Sequence, residues 1–113
     1  FIREREKNMG REDELQPSNI NQTMQLTLPV DHAYDVLKNM LSCSAMFMMR
    51  RWDDEKRSIS FSSFDDIDLV AVIHEKSESE CEVRVTSDSR DTNRAVRRIG
   101  DFLRDYQAQI GMA

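Results

Sequence analysis

The sequence predicts an α+β two-layer sandwich of order β-α-β-β-β-α, an antiparallel sheet with both helices on one face. Short segments of period-2 alternation between apolar and polar residues mark strands. Two longer segments carry a single apolar stripe at helical spacing. The helices therefore need one apolar face to pack on, and the strands offer one, which puts both helices on the same side of the sheet.

The first strand is read from Met24, Leu26 and Leu28, which alternate with Gln25 and Thr27 until Pro29 ends it. Asp31 follows as the expected N-cap, its carboxylate placed to accept from free amides of the first turn. Ala33, Tyr34, Leu37, Met40 and Leu41 then form one stripe, and Ser42-Cys43-Ser44 stops the helix.

Three consecutive strands are expected to form the meander that follows. Met46 to Asp53 opens it, and the charged run Asp53-Asp54-Glu55-Lys56 reads as a hairpin turn. Ile59 and Phe61 alternate with Ser58, Ser60 and Ser62, so that the serines look at water. Ile67, Leu69, Ala71 and Ile73 share one face while Val70 and Val72 take the other, the pattern of a central strand. Beyond the polar loop Glu75 to Glu80, Cys81, Val83 and Val85 alternate with Glu82, Arg84 and Thr86.

The last element is a helix carried by Ala95, Val96, Ile99, Phe102, Leu103, Tyr106 and Ile110, with Asp91 or Thr92 as its cap. Gly100 inside it costs about 1 kcal/mol relative to Ala, and close packing of the helix on the sheet is its expected reason. Arg94, Arg97, Arg98 and Arg104 lie off the apolar stripe, with Arg97 and Arg104 both spaced to pair with Asp101.

A chain of 113 residues is one domain in size. Residues 1–21 are polar, with apolar residues too sparse for a core, and are expected to be a flexible arm or tether, leaving 22–113 as the folded domain. The chain begins at Phe1 rather than Met, as a trimmed or processed chain would. No apolar run reaches the roughly 18 to 20 residues of a membrane span. The net charge of −5 and the lack of an RNA-binding motif argue against nucleic acid as a partner.

Little in the sequence points to catalysis or to a cofactor. His32 and His74 stand in no metal-binding spacing, and no set of ligands for a metal can be named. Cys43 and Cys81 are 38 positions apart and read as two separate thiols, with a disulfide as the alternative in an oxidising compartment. The carboxylates at Asp53-Asp54-Glu55 and Asp65-Asp66-Asp68 read as solvated turns, the second group lacking the glycine and bidentate glutamate of a calcium loop. The candidate binding residues are Met46, Met48, Arg50, Arg51 and Trp52. Methionines suit adaptable surfaces, and alternation puts Met46 with Met48 on one face and Phe47 with Met49 on the other, so that one pair must lie outside the core or be covered. Arg50-Arg51-Trp52 adds a basic and aromatic spot to the same strand.

The stretch from Met24 to Tyr106 resembles small bacterial cell-envelope lipoprotein domains of unassigned function and, more distantly, BamC-type modules. The likeness rests on Leu26-Thr27-Leu28-Pro29-Val30-Asp31-His32-Ala33-Tyr34-Asp35-Val36-Leu37, a strand running into a helix. It rests also on Val83-Arg84-Val85-Thr86-Ser87-Asp88-Ser89-Arg90-Asp91, a strand turning into the final helix. The resemblance implies a non-enzymatic adaptor with a protein partner in an envelope assembly or secretion complex, facing the periplasm and tethered by the arm to a lipid anchor upstream of Phe1. The alternative expectation is a domain binding a small ligand or lipid headgroup in a gap between sheet and helices, with Arg50, Arg51 and Trp52 at its mouth. A cytoplasmic location is the alternative to the periplasm.

Overall fold

A computed structural model describes residues 20–112. The elements are β1 (Ile20–Leu26), α1 (Val30–Cys43), β2 (Phe47–Asp53), β3 (Ser58–Ser63), β4 (Asp68–Ser77), β5 (Glu80–Ser87) and α2 (Thr92–Met112). They form the expected α+β two-layer architecture. Four strands follow α1, one more than the order β-α-β-β-β-α counts, and β4 and β5 run into the expected polar loop from both sides, leaving only Glu78 and Ser79 as the turn. The sheet has five strands in the order β1-β5-β4-β3-β2, every neighbouring pair antiparallel. Local hairpins build the row from β2 to β5, and β1 closes it against β5.

β1 starts at Ile20, two residues before the expected start of the folded domain, and ends at Leu26, so that Leu28 lies in the bend before α1 rather than in the strand. The remainder of the expected polar arm lies outside the described residues. The helix begins at Val30 with Pro29 at the cap position and no side-chain cap bond, so Asp31 is not the N-cap. Its carboxylate instead accepts from Arg57 at 2.9 Å, in the β2–β3 turn. At the other end Ser44 Oγ accepts from the amides of Met46 and Phe47, which turns the chain into β2.

The core lies between one sheet face and both helices. Leu69, Ala71, Ile73, Val83 and Val85 face it from the central strands, and Ala95, Ile99, Phe102 and Tyr106 from α2. Phe47, Phe61, Phe102 and Tyr106 form a chain of ring contacts with centroids 4.8 to 5.9 Å apart. Those rings fill the space between α2 and the β2–β3 half of the sheet. The expected ligand gap between sheet and helices is therefore taken up by packed aromatic side chains at this end of the molecule.

Asp91 caps α2, accepting from the amide of Arg94 at 3.1 Å. Gly100 does not serve close packing: a Cβ placed there meets nothing within 4 Å. The hairpin between β2 and β3 turns without glycine. Asp53 Oδ1 accepts from the amides of Glu55 and Lys56, and Arg57 takes the left-handed conformation at φ 53°.

Candidate functional site on the open face of the sheet

The face of the sheet turned away from the helices carries Met48 and Arg51 from β2, Ser60 and Ser62 from β3, Asp68 and Val70 from β4 and Thr86 from β5. Strict alternation would put Arg50 and Arg51 on opposite faces. A bulge prevents this. Met49 pairs with Phe61 and Arg51 with Ser60, leaving Arg50 as the extra residue. Both arginines consequently line one open groove of about 630 Å³ with Ser60, Asp68, Val70, Thr86 and Asp88. Arg50 lies down across β3, its Nε donating to Ser62 Oγ at 2.8 Å.

The same bulge sends Trp52 to the other side. Trp52 pairs with Ile59, whose side chain is fully buried in the core, and its ring lies 5.7 Å from Lys38 Nζ of α1. Lys38 also reaches Asp54 at 3.0 Å, and Asp54 accepts from Tyr34 Oη at 2.8 Å. Hydrogen bonds from Tyr34 and then Lys38 hold the Asp54 carboxyl below its ordinary pKa. Burial, followed by the bond to Asp54, pushes the Tyr34 phenol up. This cluster staples the β2–β3 hairpin to α1. Arg50, Arg51 and Trp52 thus do not converge, and the tryptophan belongs to the staple.

A second groove, of about 520 Å³, adjoins the first at Arg50 and runs past Met46, Met48, Ser62, Ser63 and Phe64. Phe47 and Met49 point into the core side, Met46 is half-buried just before the strand, and Met48 stands 60% exposed. Phe64, at 66% exposure, is a further apolar surface residue that periodicity did not single out, because it falls in a turn. The sequence-predicted Met46, Met48, Arg50 and Arg51 are therefore brought together along the two grooves.

The turn that carries Phe64 is fixed to α2 by ions. Arg98 forks onto Asp65 at 3.0 Å and pairs with Asp101 at 2.8 Å, while Arg104 reaches Asp101 at 3.1 Å. Asp101 thus pairs with Arg104 as expected, and with Arg98 in place of Arg97. Hydrogen bonds from Arg98 and then Ser63 lower the Asp65 carboxyl to about 2. The Arg98 guanidinium also lies 4.9 Å from the centre of the Phe64 ring, which holds the apolar wall of the second groove in place.

Among the described residues no group of His, Cys, Asp and Glu is arranged to hold a metal ion. Cys43 is exposed, Cys81 is buried, and neither is in a disulfide. No helix of the described residues is long and apolar enough to cross a membrane.

Fold and site together define a small antiparallel α+β domain with its helices on one face and a groove on the other. No family model matches the chain, and no curated protein matches it. Its fold is similar to that of a Thermobifida fusca protein solved by solution NMR, with 11% identity over 75% of this chain and 84% of that one and a TM-score of 0.55. It is similar also to BexL, a di-domain aromatase/cyclase of the BE-7585A biosynthetic pathway, with 12% identity and a TM-score of 0.56 over 80% of this chain. Only 44% of BexL is covered, so the chain spans less than half of that protein. The Zhui aromatase/cyclase from Streptomyces sp. R1128 shows 8% identity and a TM-score of 0.50, over 80% of this chain and 87% of that one.

These likenesses are to the fold alone, and they correct the expected resemblance. The similar structures named above include aromatase/cyclases, and none of them is described as a BamC-type or envelope lipoprotein module. A strand, a helix, a meander and a final helix are common to many α+β sandwiches, so the pattern did not discriminate between them. The envelope adaptor, the lipoprotein and the outer-membrane setting fall with that resemblance. So does the expectation of a non-enzymatic module, since enzymes use the same fold.

Proposed function

We propose that this chain is a small-ligand-binding domain whose site is the open-face groove at Arg50 and Arg51. The observation that carries the reading is the bulge in β2, which sets two consecutive guanidiniums on one face above a floor of hydroxyls and Val70. A bulge beside a groove commonly re-aims side chains toward a site. The volume of about 630 Å³ falls within the range of small-molecule pockets. Neither arginine is in an ion pair with another described residue, so both are available to an acidic group. The likeness to aromatase/cyclases, proteins of small-molecule biosynthesis, supports a ligand of that size. It also favours the cytoplasm over the periplasm.

The test is a panel of small organic acids followed by chemical-shift perturbation in the full chain. Binding weakened roughly five-fold or more by Arg51→Ala and by Arg50→Ala, with Trp52→Phe unchanged, is the expected outcome. Binding indifferent to both arginine changes would reject the site.

A further inference from the structure

The groove is not simply basic. Resting on the proposed ligand site, we infer that its ligand is a zwitterion: an acid and an amine carried on one small molecule, as in an α-amino acid.

The pairing register lays out the charges. Met48 stands opposite Ser62 and Ser62 opposite Asp68, one row running across the open face from β2 to β4. Arg50 Nε is fastened to Ser62 in the middle of that row at 2.8 Å, which carries its guanidinium over β3. Asp68 is then the neighbour on the adjoining strand, about 5 Å further along at ordinary strand spacing. Asp88 lines the same groove. Cation and anion face one cavity without forming an ion pair with each other.

A ligand bearing only an acid would bring its charge close to Asp68 and Asp88, which opposes part of the attraction of Arg50 and Arg51. A ligand with neighbouring opposite charges meets a partner for each. The acid accepts from the guanidiniums and the ammonium donates to Asp68. An apolar side chain has Val70 below it and Met48 at the next groove.

A matched set tests this: norleucine, hexanoate and pentylamine share an alkyl chain and differ in which charges they carry. Their dissociation constants are to be measured by chemical-shift titration on the full chain. Norleucine is expected to bind roughly three- to five-fold tighter than either single-charge analogue, the effect of one additional solvent-exposed charge pair. Asp68→Asn is expected to erase the preference over hexanoate, but not that over pentylamine, while leaving hexanoate bound as well or better. Hexanoate binding as tightly as norleucine in the unmodified protein, or a preference untouched by both Asp68→Asn and Asp88→Asn, overturns the zwitterion while leaving the arginine site standing. Failure of all three probes, and of the acid panel, overturns both. A free amino acid and a zwitterionic headgroup share this chemistry. Sedimentation with phosphatidylethanolamine vesicles that is lost in Asp68→Asn would assign the headgroup, and norleucine binding without sedimentation the free molecule.

Discussion

Tyr106 Oη donates to the main-chain carbonyl of Ala33 at 2.6 Å, joining α2 to α1 across 73 positions of sequence. Ala33 is fully buried and so is the tyrosine. The bond is sheltered from water on both sides, and it fixes how far each helix is advanced along the other. Burial raises the phenol pKa, which keeps the donor protonated throughout the ordinary pH range.

Tyr106→Phe retains the ring contact with Phe102 and removes only the hydroxyl. A loss of roughly 1 to 2 kcal/mol in denaturant unfolding is expected, with an unchanged m-value. A change within about 0.3 kcal/mol would show that the helices are placed by packing alone.

Gly100→Ala should stabilise the protein. The added methyl meets nothing within 4 Å, and the glycine has no positive φ to preserve. The gain expected from helix propensity is about 0.5 to 1 kcal/mol, read as a raised Tm in calorimetry. Destabilisation would mean that the helix needs the small residue after all.

Asp65 makes stability depend on acid. Its folded-state pKa of about 2 lies below the ordinary 3.8, so the unfolded chain binds more protons between those values. The contribution of Asp65 is fully present above about pH 4 and is lost as the pH falls through 4 toward 2. Asp65→Asn should be less stable than the parent at pH 6, with the gap narrowing below pH 4. Parallel stability curves for the two proteins across that window would count against the ion pair.

The two thiols should differ sharply in reactivity. Burial pushes the Cys81 thiol up and keeps reagent out, whereas Cys43 is exposed at the end of α1. A thiol-reactive dye at neutral pH is expected to label one cysteine promptly in the native state and the second only after unfolding. Equal rates for both would contradict the placement of Cys81.

Much of the fold was legible because the apolar pattern is dense. The face of β4 holding Leu69, Ala71 and Ile73, the stripe of α2, and the centrality of β4 all follow from period alone. What period cannot give is an interruption of itself. One extra residue at Arg50 swaps the faces of everything after it in the strand, so Arg51 joined the serines and Trp52 went to the helix side. The Asp65–Arg98 pair was hidden for another reason, since its partners lie 33 positions apart and only the packing of α2 against the β3–β4 turn brings them together. Asp31 failed as a cap because Pro29 already set an extended residue before the helix, leaving the carboxylate for Arg57.

The bulge in β2 also has a meaning for the gene. Arg50 is a residue with no cross-strand partner of its own, so its codon is supernumerary to the sheet. Loss of that codon leaves Met49 against Phe61 and Arg51 against Ser60, with every other pairing intact. An in-frame deletion here, ordinarily ruinous in the middle of a strand, is expected to remove one arm of the proposed binding face while keeping the pairing register. A lineage with no use for the proposed site could shed the residue without first having to rebuild the protein.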